Sequence, residues 1–403
     1  MQEHDRRSRE AELAKAYAEA KALQAQPPRV PWDADQLTMP IPAEWEDRLC
    51  AQLKNILGEW ANTMNRREIL RLLGWATAIV AASPVGGLDA DDQERLTQAI
   101  ALPSRVDAQV IDSLAATFRQ CKRQEDALGS RRVLNMVLAQ QRLIHSLVRD
   151  CPGPLRPRLL SVYSDMSTSI GYYFFELSDL DSAHYHCEQA RVAAHEAGDT
   201  GLSIYALCEM SYFASWQGKA PLGIDFATAA ESLLPKTDDP LMPVAVAQRA
   251  ATAYATDGQY EACMNRLEKA QEKLAPAGPV PVESPLYFYN EGYLASHKSE
   301  CLLRLRKTQE AAASATAGLT LYDKSFADGY AVCTLHLGNA YLQAGEIDEA
   351  AQVISRAATL CLQTRSARLV KELRTARNQM EPWRQTRAVK DLDERLMGIG
   401  FEV

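Results

Sequence analysis

Seven histidines and nine cysteines are the residues best able to hold a metal or attack an electrophile, and their spacing argues against both roles. His184 and His186 stand two positions apart, which on a helix aims them at different parts of the surface, and Cys187 beside them takes an apolar seam position. The cysteines (Cys50, Cys121, Cys151, Cys187, Cys208, Cys263, Cys301, Cys333 and Cys361) are odd in number, stand singly and form no CxxC pair. That pattern suits buried, reduced thiols of a cytoplasmic protein better than a zinc site or a disulfide framework. The phosphate-cradling GxxxxGKS/T, the dinucleotide GxGxxG, the zinc-binding HExxH and the nucleophile elbow GxSxG do not occur. No catalytic residue, metal or cofactor is expected, and the protein is not expected to be an enzyme.

The chemistry that is left is recognition. Tyr172 and Phe175, then Tyr205, Tyr212 and Trp216, then Tyr289, Asn290 and Tyr293, and finally Asn339 recur in helix-forming sequence. Aromatic side chains bury area at low entropic cost while their polar ends still hydrogen-bond. Facing one concave surface, they would form a groove for a peptide, a small signalling ligand or a protein partner; the other reading is that several simply pack between helices. A second candidate is the basic stretch of residues 365–390, where eight cations, among them Arg368, Lys371 and Arg374, stand against Glu372 and Glu381. Such a face could meet phosphate or an acidic partner, or be an ordinary polar face. The formal net charge of the 403-residue chain is −8, which excludes a global pull toward nucleic acid or an anionic membrane.

Helices must position these groups. Residues 7–25 are a charged helix candidate, but Pro27, Pro28, Pro31, Pro40 and Pro42 forbid its continuation, making 26–43 a linker. Helices are expected over 43–57 and 66–82, with a break at Pro84 to Gly87 and Asp89 or Asp91 as the next N-cap. Within the second of these, Asn65-Arg66-Arg67 followed by apolar residues mimics a twin-arginine export signal, a reading that becomes live only if translation starts at Met64. The apolar run falls well short of the ~20 residues that span a bilayer. The segment is therefore expected to be a buried amphipathic helix, and no membrane association is expected. Segments 106–119 and 131–148 form a further helix pair.

From residue 156 onward the sequence repeats. In the clearest unit, Leu337-Gly338-Asn339-Ala340-Tyr341 leads through Gly345 to Ala350, Ile354 and Ala357. Small residues sit where two antiparallel helices must approach, larger ones fill the seam, and Gly345 permits the turn. This unit resembles a tetratricopeptide repeat (TPR). Registering earlier units on the small residue at the place of Ala357 gives Ala190, Ala230, Ala270 and Gly318, with steps of 40, 40, 48 and 39 residues. The longest step holds an insertion containing Pro276, Pro279 and Pro281, after which Ser284-Pro285 looks like a helix start, as does Asp239-Pro240. Segments 366–380 and 386–397 are expected to cap the array. The fold expected is an all-α, TPR-like α-solenoid, a right-handed superhelix of antiparallel helix pairs. Its parts are an N-terminal helical and linker segment (1–63), a helical lead-in (64–155), the repeat array (156–364) and C-terminal capping helices (365–403).

The order of Asn65-Arg66-Arg67-Glu68-Ile69-Leu70, Leu88-Asp89-Ala90-Asp91-Asp92, the repeat units and the closing Pro382-Trp383 resembles an actinobacterial family of transcriptional regulators. In that family an Xre-type helix-turn-helix domain precedes a TPR sensor region. The resemblance spans about 340 residues and implies a cytoplasmic regulatory protein that binds a peptide, small molecule or protein partner in its groove; homodimerisation is compatible with it. An interaction scaffold without a small ligand is the alternative. Residues 1–63 depart from the family, with a Pro-rich linker and too few helices for a five-helix DNA-binding domain, so direct DNA recognition is not implied.

Overall fold

Ala, Leu, Glu, Gln and Arg dominate the chain beyond residue 90, and these are residues that lose little rotamer freedom in a helix. The computed structural model describes residues 90–399 apart from 279, 281, 282, 323 and 365. The linker at 26–43, the helices expected at 7–25, 43–57 and 66–82, and Asp89 lie outside the described residues. Among the described residues there are fifteen α-helices and no strand. They are α1 (Ala90–Ala101), α2 (Ala108–Leu128), α3 (Ser130–Val148), α4 (Arg156–Glu176), α5 (Leu180–Ala197), α6 (Thr200–Trp216), α7 (Ala220–Leu233) and α8 (Met242–Thr256). They continue with α9 (Tyr260–Leu274), α10 (Glu291–Arg304), α11 (Thr308–Leu321), α12 (Ala327–Ala344), α13 (Ile347–Thr364), α14 (Ala367–Gln379) and α15 (Arg387–Gly398). None is long and apolar enough to cross a membrane. The eight cysteines among the described residues are buried and free.

The helices form a solenoid in two layers. The even-numbered helices α4 to α12 pack against one another and against their odd-numbered partners. Side-chain pattern explains the layering. Helix α6 is apolar nearly all round, and Leu202 and residues 204–215 are buried, as expected of a helix covered on every side. Helix α9 buries only Cys263, Leu267, Ala270 and Leu274, a single stripe at three- and four-residue spacing, and turns its charged face outward. Helices α7 and α11 do the same with Ala and Gly, which lets each outer helix lie close on its inner partner. At Gly338 an added Cβ would come within 2.7 Å of Ile354 Cγ1, so that approach demands glycine.

One turn recurs five times. Each inner helix ends on a residue with left-handed φ: Ser178 (63°), Gly218 (76°), Gly258 (76°), Arg306 (60°) and Gly345 (83°). The next residue donates its N–H to the carbonyl five positions back, as Asp179 to Phe174, Lys219 to Ala214, Gln259 to Tyr254, Lys307 to Leu302 and Glu346 to Tyr341, all at 2.9 or 3.0 Å. This bond closes the helix end in a Schellman turn. The turn residues are separated by 40, 40, 48 and 39 positions, the same steps read from the small seam residues, all of which are buried.

Two helix starts differ from expectation. Ser284-Pro285 begins a turn, and α10 starts only at Glu291, capped by the Asn290 side chain accepting from Tyr293 N at 2.9 Å. The intervening Leu286 and Tyr289 are buried, so hydrophobic demand draws this stretch inward before the helix begins. Asp239 accepts from Leu241 N at 2.8 Å, and α8 follows at Met242.

The array also closes on itself. Helix α2 reaches α12 and α13, and α14 reaches α4. Gly129, between α2 and α3, sits so near the end of α13 that an added Cβ would lie 1.9 Å from the Thr364 carbonyl oxygen. At the other seam Arg368 donates to Glu176 Oε1 from Nε (2.9 Å) and Nη2 (2.7 Å), and Ser366 Oγ donates to Glu176 Oε2 at 2.5 Å. Glu176 is 1% and Arg368 3% exposed, so this is a buried ion pair with its hydrogen bonds made. The expected open groove is therefore a ring closed around a hollow that keeps a mouth to solvent.

Candidate functional site

The faces that the inner helices turn toward one another enclose about 900 Å³ of empty space, mouth included. Helical spacing accounts for which residues reach it. Tyr205, Glu209 and Tyr212 stand at i, i+4 and i+7 on α6, Tyr293, Ser296 and His297 at i, i+3 and i+4 on α10, and Lys122, Glu125 and Asp126 likewise on α2. Helix α4 supplies Ser169, Tyr172 and Tyr173, α8 supplies Arg249, and α12 supplies Asp328, Gly329 and Val332. Two connections complete the wall: Tyr287 and Phe288 from the stretch before α10, and Tyr322 and Phe326 from the stretch between α11 and α12.

Polar groups at the wall are deeply buried and incompletely partnered. Arg249 Nη2 donates to Glu209 Oε1 (2.7 Å) and to Tyr293 Oη (3.2 Å), and its guanidinium lies 4.3 Å above the Tyr212 ring. Its Nε and Nη1, and Glu209 Oε2, have no hydrogen-bond partner. Burial works against the charged form of Arg249, but Glu209 holds the guanidinium pKa well above its ordinary value. On the opposite side Tyr287 Oη donates to Asp126 Oδ2 at 2.6 Å, and Ser130 Oγ donates to Glu125 Oε1 at 2.6 Å. Burial pushes the Asp126 carboxyl up to about 6 against the pull of the Tyr287 hydrogen bond. Burial and neighbouring Asp126 push Glu125 well above the carboxylate range. Asp328 is 8% exposed, and neither of its oxygens accepts a hydrogen bond. Burial and the Glu176 charge push its carboxyl up to about 8, with Arg368 opposing. His297 is pushed down to about 4 by burial and is neutral. Unmet donors and acceptors at the wall of an apolar, tyrosine-rich hollow are what a ligand site offers before its ligand arrives.

The residues expected from sequence divide three ways. Tyr172, Tyr205, Tyr212 and Tyr293 line the chamber. Trp216 and Asn339 line a second hollow of about 480 Å³, which shares Tyr212 and Arg368 with the first. Phe175, Tyr289 and Asn290 line neither hollow. Phe175 stacks on Phe213 at 4.8 Å and meets Trp216 edge-on, Tyr289 is buried with its hydroxyl on Gln248 Oε1 at 3.2 Å, and Asn290 is the cap of α10. These three serve packing and capping rather than a groove.

The basic face is corrected too. Lys371 and Arg374 are exposed, but Arg368 points inward onto Glu176. Arg377 is likewise buried and pairs with Asp393 and Glu381. Besides their local partners Glu372 and Glu381, Arg368 and Arg377 are neutralised by Glu176 and Asp393, 192 and 16 residues away and outside a local charge count. His184 and His186 are not paired with each other: His186 stacks on Phe174 at 5.3 Å, and His184 meets Gln217 at 3.1 Å.

Sequence reasoning missed Arg249, Asp328, Tyr287 and Tyr322. A charged residue inside an otherwise apolar helix, as Arg249 is in Met242–Thr256, was the available signal for the first. Nothing local marks the other three. A scan against protein-family models finds no match, and a search of curated proteins finds none.

Proposed function

We propose that the protein is a regulatory TPR-type solenoid that senses a small molecule held in the chamber, in the manner of the cytoplasmic actinobacterial regulators it resembles. The observation that carries this reading is the hollow itself, aromatic-walled, with Arg249, Glu209 and Asp328 short of hydrogen-bond partners. Its aromatic lining with a few convergent polar groups is that of a small-molecule site. An extended peptide or a folded protein needs an open groove, and the contacts of α2 with α12 and of α14 with α4 close it.

Signalling follows from the walls. Arg368 lines the chamber and also holds Glu176 across the seam. A ligand whose contact with Arg368 is lost when the seam parts would bind the closed ring more tightly, which is the requirement for a ligand to shift a conformational equilibrium. The output would be a change in the outer surface presented to a regulatory partner or to a second copy.

Native mass spectrometry of the chain purified under non-denaturing conditions tests the proposal. A small molecule that stays with the protein and is released on unfolding is the expected result. Recovery only of a stoichiometric protein, with the chamber empty and refractory to small-molecule screening, would favour a scaffold instead.

A further inference from the structure

Asp328 is the most poorly satisfied ionisable group at the chamber wall. It opens α12 from the inside, 8% exposed, with neither oxygen hydrogen-bonded. The Thr364 hydroxyl lies near enough to favour the Asp328 carboxylate, though it makes no hydrogen bond of normal geometry. The nearest cation is Arg368, whose Nη2 lies 3.9 Å from Asp328 Oδ2 and whose donors already serve Glu176 and Glu372. Lys122, which lines the hollow on this side, is held by Asp165 at 3.2 Å. Carboxyls thus outnumber uncommitted cations, with Glu125 and Asp126 on the same side. A buried carboxyl left this way awaits a positive charge or holds a proton.

The surroundings favour an organic cation. Tyr172 and Tyr322 lie deep within the ring, sense the Asp328 charge and are only half-buried, so their accessible area is chamber surface. Phe326 joins them. Aromatic faces attract an ammonium group and cover the hydrocarbon attached to it. Gly329, next in the chain, leaves room for the Tyr322 hydroxyl, which would lie 2.1 Å from an added Cβ. No group of three His, Cys, Asp or Glu side chains among the described residues is arranged to hold a metal ion.

We infer that Asp328 anchors the ammonium group of an amine ligand whose aromatic or apolar body lies among Tyr172, Tyr322 and Phe326. This deepens the proposed function and rests on the chamber being a ligand site. The charged groups facing Asp328 are Glu125 of α2, Glu176 of α4, and Arg368 and Glu372 of α14; Tyr172, Tyr322 and Cys361 face it as neutral acids. Among them the free Asp328 carboxyl is pushed up to about 8, so it carries a proton at neutral pH. An arriving ammonium ion supplies the missing charge, and the proton leaves to solvent.

Isothermal titration calorimetry of the full chain tests this with three matched probes: phenylpropylamine, phenylpropanol and phenylpropanoate. At neutral pH the amine should bind roughly tenfold more tightly than the alcohol, and the carboxylate more weakly than either. Repeating the amine titration in buffers of different ionisation enthalpy should show net proton release, because burial and the Glu176 charge raise the Asp328 carboxyl and an ammonium beside it lowers it. Asp328→Asn should abolish both the preference and the proton release while keeping alcohol affinity. Should that variant fail to fold, the proton release of the unaltered protein still decides. Amine binding no tighter than alcohol binding, or without proton release, would overturn the amine assignment and leave the chamber reading standing. Failure of all three probes to bind at millimolar concentration would overturn both.

Discussion

Replacing Arg368 with Met removes the guanidinium that joins α14 to α4 while keeping an unbranched, apolar side chain of similar reach. Glu176 would then stand 1% exposed with Ser366 as its remaining donor, because both Arg368 bonds to Oε1 are lost. Breaking a buried pair by deleting one partner costs about 3–5 kcal/mol, since the other charge stays desolvated. The Arg368 contact with the Phe175 ring, 5.2 Å away, is exchanged for a thioether contact of similar size and changes the balance little. Urea unfolding followed by circular dichroism should therefore show a loss in that range, and Glu176→Gln in the same background should restore about 2 kcal/mol of it. Hydrogen exchange adds the location: amides of α14 and the C-terminal half of α4 should exchange faster, because a solenoid transmits stability mainly between neighbours. A loss under about 1 kcal/mol with unchanged exchange at both helices would refute the idea that this pair closes the ring.

Asp328 makes stability depend on pH in an unusual direction. Its folded-state carboxyl sits near 8 against an ordinary 3.8, so the fold holds a proton that the unfolded chain has lost. Stability should fall as pH rises through that window, by up to about 1.4 kcal/mol per pH unit for one proton, and Asp328→Asn should lessen the slope in thermal unfolding from pH 5 to 8, leaving the share of Asp126 and Glu125. Ser178 and Arg306 are exposed and occupy the left-handed region at turn positions where three sister turns have glycine. Ser178→Gly and Arg306→Gly should each raise stability by about 1 kcal/mol, read as an increase in Tm. At Gly129 the change is opposite: Gly129→Ala forces a Cβ onto the Thr364 carbonyl at positive φ, and should cost at least 2 kcal/mol and open the chamber, read by dye access to its tyrosines.

The repeat register was legible because it is written locally. A turn residue and a small seam residue recur within each unit, and their period survives even where Ser or Arg replaces the turn glycine. The outer helices were equally plain, since a single stripe of small apolar residues leaves one packing solution. Closure of the ring was not legible. It depends on Gly129 meeting Thr364 and on Glu176 meeting Arg368 across 192 residues, and neither pairing leaves a mark in the neighbouring sequence. The same distance explains why Arg368 looked like part of a basic face. Inner-face aromatics were half legible: spacing puts Tyr205 and Tyr212 on one side of α6, but cannot tell a side facing a hollow from one facing another helix, as Phe175 does.

The longest repeat step, 48 residues, owes its length to the connection before α10, and from that connection Tyr287 and Phe288 reach into the chamber. No stacking helix carries these two rings, so exchanging them leaves the register of every neighbouring pair untouched. Should the proposed guest bind there, this connection is where its fit would be rewritten with least disturbance of the stacked helices, Tyr287 being held to α2 by one hydrogen bond to Asp126.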